Sequence, residues 1–304
     1  MAKLIKASIC PFPPWIPFQV PVRVPTAYSI VTGPEGYRRG RRDMKLLDSE
    51  VRLGTSGFSF RDWKGPFYPP GIAQRDMLPW YARQFDTVEL NSPYYGIMPA
   101  STTEGMVSRT PEGFRFSVKL HSSMTHGRDA GESEWSAYRD MVRPLEESGR
   151  LACCLAQFPY SLKASPESAG YVLGLRERLE PLPLAAEFRH DGWYRPEVLE
   201  RLAEGGVALV SVDLPALSHL PPRAPVGGSP FGYVRFHGRN AGKWWDGGAL
   251  RYDWSYSRRE LAGWMPGLRW LARQSDTIYL FFNNCHAGKA IDSAGIMRDL
   301  LEGK

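Results

Sequence analysis

From residue 48 onward, short β-branched and apolar runs alternate with longer stretches whose apolar residues recur at helical spacing. The runs predict eight strands: Val51–Thr55, Thr87–Leu90, Arg115–Leu120, Leu151–Gln157, Leu184–Phe188, Val207–Asp213, Gly232–His237 and Thr277–Phe282. Helices are predicted between them at Arg75–Phe85, Ser101–Arg109, Ser133–Glu147, Pro166–Arg178, Pro196–Glu204, Ser257–Gln274 and Ala287–Glu302. Eight such repeats over about 255 residues match a TIM-type (β/α)8 barrel. The Pro- and Gly-rich stretch Pro215–Pro230 replaces a helix after the sixth strand, so irregularity is expected there. A doubly wound sheet is disfavoured, because GTSGFSF at 54–60 lacks the G-x-G-x-x-G spacing of a dinucleotide site.

Nearly every run ends in a polar group, and in a barrel those ends converge on the mouth where reactive groups sit. In order they are Ser56, Glu89 with Asn91, Lys119 with His121, Gln157, Glu187 with Arg189 and His190, Asp213, Arg235 with His237 and Arg239, and Asn283 with Asn284. Any single one could pair with a neighbour or cap the next helix. Glu187, Arg189, Glu89 and His237 are the hardest to read as scaffold, since a buried charge is costly unless paired or used. His190 should face away from Arg189 on an extended strand, which makes His237 the better imidazole. Aromatic residues follow the same ends: Phe58, Phe60, Trp63, Phe67 and Tyr68 in the first loop, Tyr94 and Tyr95, Trp193 and Tyr194, and Trp244 and Trp245. Rings around a charged centre suit a ligand with flat or sugar-like faces, and Trp63 is taken as one such contact; the alternative is that they only close the barrel top.

Composition changes the picture mainly at the N-terminus. Residues 1–47 hold seven prolines, the cluster RRGRR at 38–42, and eight Lys/Arg against Glu35 and Asp43, which accounts for the whole chain's net +6. The remainder is balanced, so the basic pI does not support nucleic-acid binding by the domain. Residues 1–47 are expected to be a disordered extension before a domain at 48–304, with Met44 a plausible start of translation and a basic arm the alternative. Pro11, Pro13, Pro14 and Pro17 interrupt any secretory apolar region, and no apolar run approaches the roughly 18 residues of a membrane span. Cys10, Cys153, Cys154 and Cys285 have neither disulfide-framework nor zinc spacing, which fits a reduced, cytoplasmic protein.

The motifs GTSGFSFRDWKGPFYPPG (54–71), FDTVELNSPYY (85–95), RTPEGFRFSVKLHSSMTH (109–126), LAQFPYS (155–161), AAEFRHDGWY (185–194), YVRFHGR (233–239) and YLFFNNCHAG (279–288), with the Asp213 strand end, resemble the family called domain of unknown function 72, also named after the bacterial YecE protein. The resemblance runs from about Val51 to the C-terminus. It implies a TIM-barrel-like fold and no particular reaction. It carries over Glu89, Asn91, Lys119, Gln157, Glu187, Arg189, His190, Asp213, Arg235, His237 and Asn283 as positions without roles, and Cys285 departs from the pattern.

Three functions are compatible with these residues. In the first, Glu89, Glu187, Asp213 and His237 are both catalytic groups and ligands of Mg²⁺, Mn²⁺ or Zn²⁺, and the substrate is an anionic phosphoester. Its binding residues would be Asn91, Lys119, Gln157, Arg189, Arg235, Asn283 and Trp63. In the second, Glu89 and Glu187 act as a metal-free acid–base pair on a sugar-like substrate, with Arg189 and Lys119 tuning them. In the third, arginines and aromatics bind a nucleotide or single strand without catalysis. Oligomeric state leaves no mark in the sequence.

Overall fold

The computed structural model describes residues 44–304. The Pro- and Arg-rich segment 1–43, with the basic-arm and start-site questions attached to it, lies outside the described residues. Met44–Leu46 form a strand, β1, that pairs antiparallel with β2 (Ser49–Thr55), so the sheet begins within the stretch assigned from sequence to the extension.

The eight runs predicted as strands become β2, β3 (Thr87–Leu90), β4 (Arg115–Lys119), β5 (Leu151–Gln157), β6 (Leu184–Glu187), β7 (Val207–Asp213), β8 (Gly232–Phe236) and β9 (Thr277–Phe282). Helices α1 (Gln74–Tyr81), α2 (Ala100–Ser108), α3 (Glu132–Glu147), α4 (Pro166–Leu179) and α5 (Pro196–Glu204) connect the earlier strands. The long helix expected at Ser257–Gln274 is two helices, α6 (Arg258–Ala262) and α7 (Met265–Ala272); Pro266, which has no N–H to donate, lies in the first turn of α7 and prevents continuation. α8 (Lys289–Leu301) follows β9. Pro215–Pro230 contains no helix, as its composition implies. It packs on α7 instead, where a side chain on Gly267 would stand 2.3 Å from Pro225 Cγ.

The strands form one mixed sheet in the order β1-β2-β9-β8-β7-β6-β5-β4-β3, parallel from β2 through β3. The sheet curls until its outermost parallel strands, β2 and β3, meet. They share a single bridge, Ser56 with Glu89, where Gly57 N–H donates to Glu89 O at 2.8 Å. Elsewhere along this seam side chains replace the ladder: Leu53 N–H donates to Asp86 Oδ1 at 3.2 Å, and Thr55 N–H to Tyr81 Oη at 2.8 Å. The strands can approach because Gly54 has no Cβ, which would fall 2.2 Å from Thr87 O. A mixed α/β fold with a nine-stranded curled sheet is thus established, with a seam in place of a complete barrel ladder.

Period-two alternation divides each strand between two cores. Phe116, Val118, Leu184, Ala186, Val234, Phe236 and Leu280 face the helices in one cluster. Cys153, Leu155, Ala185, Val210, Val212, Tyr233 and Phe281 form a second cluster inside the curl. At the C-terminal strand ends this inner face turns from apolar to charged.

Candidate functional site

Continuing the inner alternation past the apolar cluster leads from Ala185 to Glu187 and Arg189, from Tyr233 to Arg235 and His237, from Leu155 to Gln157, and from Phe281 to Asn283. Ser117 and Lys119 follow the same rule on β4, opposite the helix-facing Phe116 and Val118. Seven of the predicted positions therefore share one face, and Glu89, between the helix-facing Val88 and Leu90, joins them.

Arg235 is the centre. Its side chain is 2% exposed and those of Glu89 and Glu187 are 0% exposed. Its guanidinium donates to Glu89 Oε1 at 2.5 Å and also to Glu187 Oε2. Two carboxylates on one planar fork suit arginine, where lysine would be a point charge. Tyr233 Oη donates to the remaining Glu89 oxygen at 2.8 Å and lies 2.8 Å from Ser117 Oγ. Arg189 Nε stands 2.5 Å from Glu187 Oε1, in ion-pair contact but without hydrogen-bond alignment. Asn283 Nδ2 is 2.9 Å from His237 Nδ1, and His237 Nε2 is 3.2 Å from Glu187 Oε2. With Asn283 donating, the imidazole carries its proton on Nε2 and directs it at Glu187.

Burial alone would raise the Glu187 carboxyl, but Arg189, Arg235 and His237 outweigh it and hold the group well below the usual carboxylate range. Burial would likewise lower the Arg235 guanidinium, and Glu187 and Glu89 hold it above its ordinary value. His237 is pushed down to about 3, by burial first and then by Arg189, so its ring is neutral at physiological pH.

The rim above this network is different. Lys119 and Gln157 are half-buried, with Lys119 Nζ donating to Gln157 Oε1 at 2.8 Å and lying 4.2 Å from the centre of the Tyr94 ring. Burial, then Arg235, pushes the Lys119 ammonium down to about 7, with Glu187 and Glu89 opposing. His126 packs edge-on against Tyr94 at 4.9 Å and is pushed down to about 4 by burial, Lys119 and Arg189. Arg189 lies 5.7 Å from the Trp244 ring. Asn91 Oδ1 and Ser56 Oγ are buried and have no hydrogen-bond partner among the described residues.

Two predicted site residues fall elsewhere. Asp213 has the parity of Leu209, not of Val210 and Val212, and so leaves the inner face. Its carboxylate accepts from Arg239 at 2.8 and 2.6 Å, Tyr256 at 2.8 Å and Trp264 at 2.7 Å, which ties β7 to the α6–α7 region. Trp63 is fully buried among Phe60, Phe67 and Tyr68 and donates to Cys285 O at 2.8 Å, so it plugs the fold. Trp193, stacked on Phe188 at 3.9 Å, is scaffold too. Of Glu89, Glu187, Asp213 and His237, the Asp213 carboxylate is engaged by Arg239, Tyr256 and Trp264, and Arg235 lies between the two glutamates.

Sequence reading missed Tyr233, although its spacing of two from Arg235 and four from His237 marks the same face. It missed His126 as well, since nothing in the local sequence shows that Tyr94 packs against it.

A family model described as protein of unknown function DUF72 matches residues 52–304. The chain belongs to the DUF72 family. The curated UPF0759 protein YunF of Bacillus subtilis is 32% identical to the chain, the match covering 83% of this chain and 95% of that protein. The crystal structure of a DUF72 family protein from Thermotoga maritima superposes with a TM-score of 0.76 at 38% identity, covering 83% of this chain and 99% of its own. A DUF72 protein from Enterococcus faecalis gives 0.74 at 28% identity, covering 83% and 95%. The matched region contains every residue of the buried network. No helix among the described residues is long and apolar enough to cross a membrane.

Proposed function

We propose that the curled sheet acts as a (β/α)8 barrel closed at the Ser56–Glu89 bridge, and that its mouth is the site of an acid–base enzyme for a small anionic substrate. The observation that carries this reading is the charge arrangement. Glu89 and Glu187 are matched within the network by Arg235 and Arg189, whereas the rim adds Lys119, whose ammonium titrates near 7, beside neutral imidazoles. A protonated Lys119 is then an uncompensated, half-buried cation next to Arg189, which an anion would match. The same amine, poised near neutrality, can take a proton from the bound substrate or return it. Lys119 and Arg189 would grip the anion, Gln157, Asn91 and Asn283 would hydrogen-bond its polar atoms, and Tyr94 and Trp244 would wall it.

This reading displaces the two sequence-based mechanisms that rely on carboxylates. A glutamate held well below its usual range cannot be the general acid of glycoside cleavage, and glutamates paired to Arg235 are poor metal ligands. Glu89 and Glu187 instead position Arg235, Arg189 and His237. The direct test is a panel of phosphate- and carboxylate-bearing substrates, with neutral glycosides alongside, run on wild type and Lys119→Met. Turnover confined to anionic substrates and lost in the variant is expected; turnover of neutral glycosides that survives the substitution would refute it.

A further inference from the structure

Apart from the polar mouth, we infer that His190, Asp191 and His219 bind a divalent metal ion of the zinc type between the loops that follow β6 and β7. The two imidazoles and the carboxylate offer donor atoms that all lie within 4.8 Å of one another. Among the described residues this is the one group of three His, Cys, Asp or Glu side chains so disposed. Two imidazole nitrogens and one carboxylate oxygen make a three-ligand zinc site whose fourth position is left to water.

The contacts inside the group call for a cation. His190 Nδ1 accepts the Gly192 N–H at 3.0 Å, yet Asp191 Oδ1 stands 3.1 Å from that same nitrogen. Nδ1 has a single lone pair, so an ion bound there would take the place of the Gly192 N–H, with Asp191 Oδ1 already beside it as a second donor. On its other side, Asp191 Oδ2 lies 3.6 Å from His219 Nδ1, beyond hydrogen-bond range. The neighbouring ammonium of Lys163 is seated 3.8 Å over the Tyr160 ring.

The frame is also fixed. Asp191 N–H donates to His219 O at 3.0 Å, locking the two loops together, and the two imidazole rings lie 10° from parallel with centres 5.9 Å apart. His219 holds a left-handed φ of 64°, uncommon for a side-chain-bearing residue and maintained here by that loop contact. An ion at this position would clip the helix-free Pro215–Pro230 stretch to the end of β6. The site shares no side chain with the proposed anion site, so either can fail alone.

The test uses the untagged full-length chain, stripped with a chelator and titrated with Zn²⁺ by calorimetry and with Co²⁺ by visible absorption. Wild type should take up one tightly held ion per chain, with Co²⁺ giving the intense visible bands of low coordination. His219→Gly relieves the left-handed backbone while deleting a ligand, and Asp191→Asn keeps the shape while weakening another. Both should fold as wild type does by circular dichroism and bind at least about tenfold more weakly. Wild type without a bound ion, or variants matching its stoichiometry and affinity, would overturn the assignment.

Discussion

Arg235 Nη2 donates to Glu89 Oε1 at 2.5 Å, a bond from β8 to β3 across the interior of the curled sheet. The same guanidinium reaches Glu187 on β6, so one side chain holds three strands. Replacing it with Met would leave two carboxylates buried without their partner. Breaking such a pair costs about 3–5 kcal/mol, and chemical denaturation of Arg235→Met should show at least that loss. Arg235→Lys should recover only part of it, because an ammonium cannot serve both carboxylates in the plane of a fork.

Gly54 tests the seam. A methyl group there would meet Thr87 O at 2.2 Å, and backbone cannot rotate away as a side chain can. Gly54→Ala should destabilise the protein by about 1–3 kcal/mol or more. Amide exchange should quicken first at Leu53 and Thr55, whose N–H groups are held by Asp86 and Tyr81.

Asp213 and Lys119 should separate scaffold from site. Asp213→Asn disturbs an acceptor shared by Arg239, Tyr256 and Trp264, and should cost about 3 kcal/mol. Its affinity for an anion at the rim should stay at the wild-type level. A loss of binding without a loss of stability would return Asp213 to the site.

Much of this was legible in the chain. Apolar runs located the eight parallel strands, and the polar strand ends brought Glu89, Lys119, Gln157, Glu187, Arg189, Arg235, His237 and Asn283 to one face. Asp213 was misplaced for a reason visible afterwards: all of β7 is apolar up to its last residues, so local sequence does not say which parity faces inward. Only the neighbouring strands decide that. Trp63 looks identical in sequence whether it plugs a loop or stacks on a ligand. Met44–Leu46 is too short to show a period. The division at Pro266 could have been read, since proline ends or begins a helix wherever it falls. What no local pattern contains is that Arg235 takes both glutamates, because that depends on three strands meeting across the sheet.

Lys119 makes stability depend on pH with a definite sign. Its folded pKa, about 7, lies below the ordinary 10.5, so between these values the unfolded chain binds a proton that the folded chain does not. The resulting penalty is absent above the ordinary value, grows as pH falls, and is complete below about 7. Lys119→Met should therefore be more stable than wild type at pH 7, and the difference should shrink toward zero as pH is raised past 10 to 11, as followed by urea denaturation across that range.

The most direct test of the anion site is the affinity for inorganic sulfate as a function of pH, measured by calorimetry on wild type and Lys119→Met. Sulfate keeps its charge throughout, so any change belongs to the protein. Lys119 faces Arg235, Arg189, Glu187, Glu89 and His126; of these its own ammonium titrates near 7, while His126 titrates near 4. Bound sulfate should favour the protonated amine. Wild-type affinity should hold below about pH 7 and fall by up to about tenfold per pH unit above it, whereas Lys119→Met should bind weakly with no such slope. Equal affinities in the two proteins, flat from pH 6 to 9, would contradict an anion site built on Lys119.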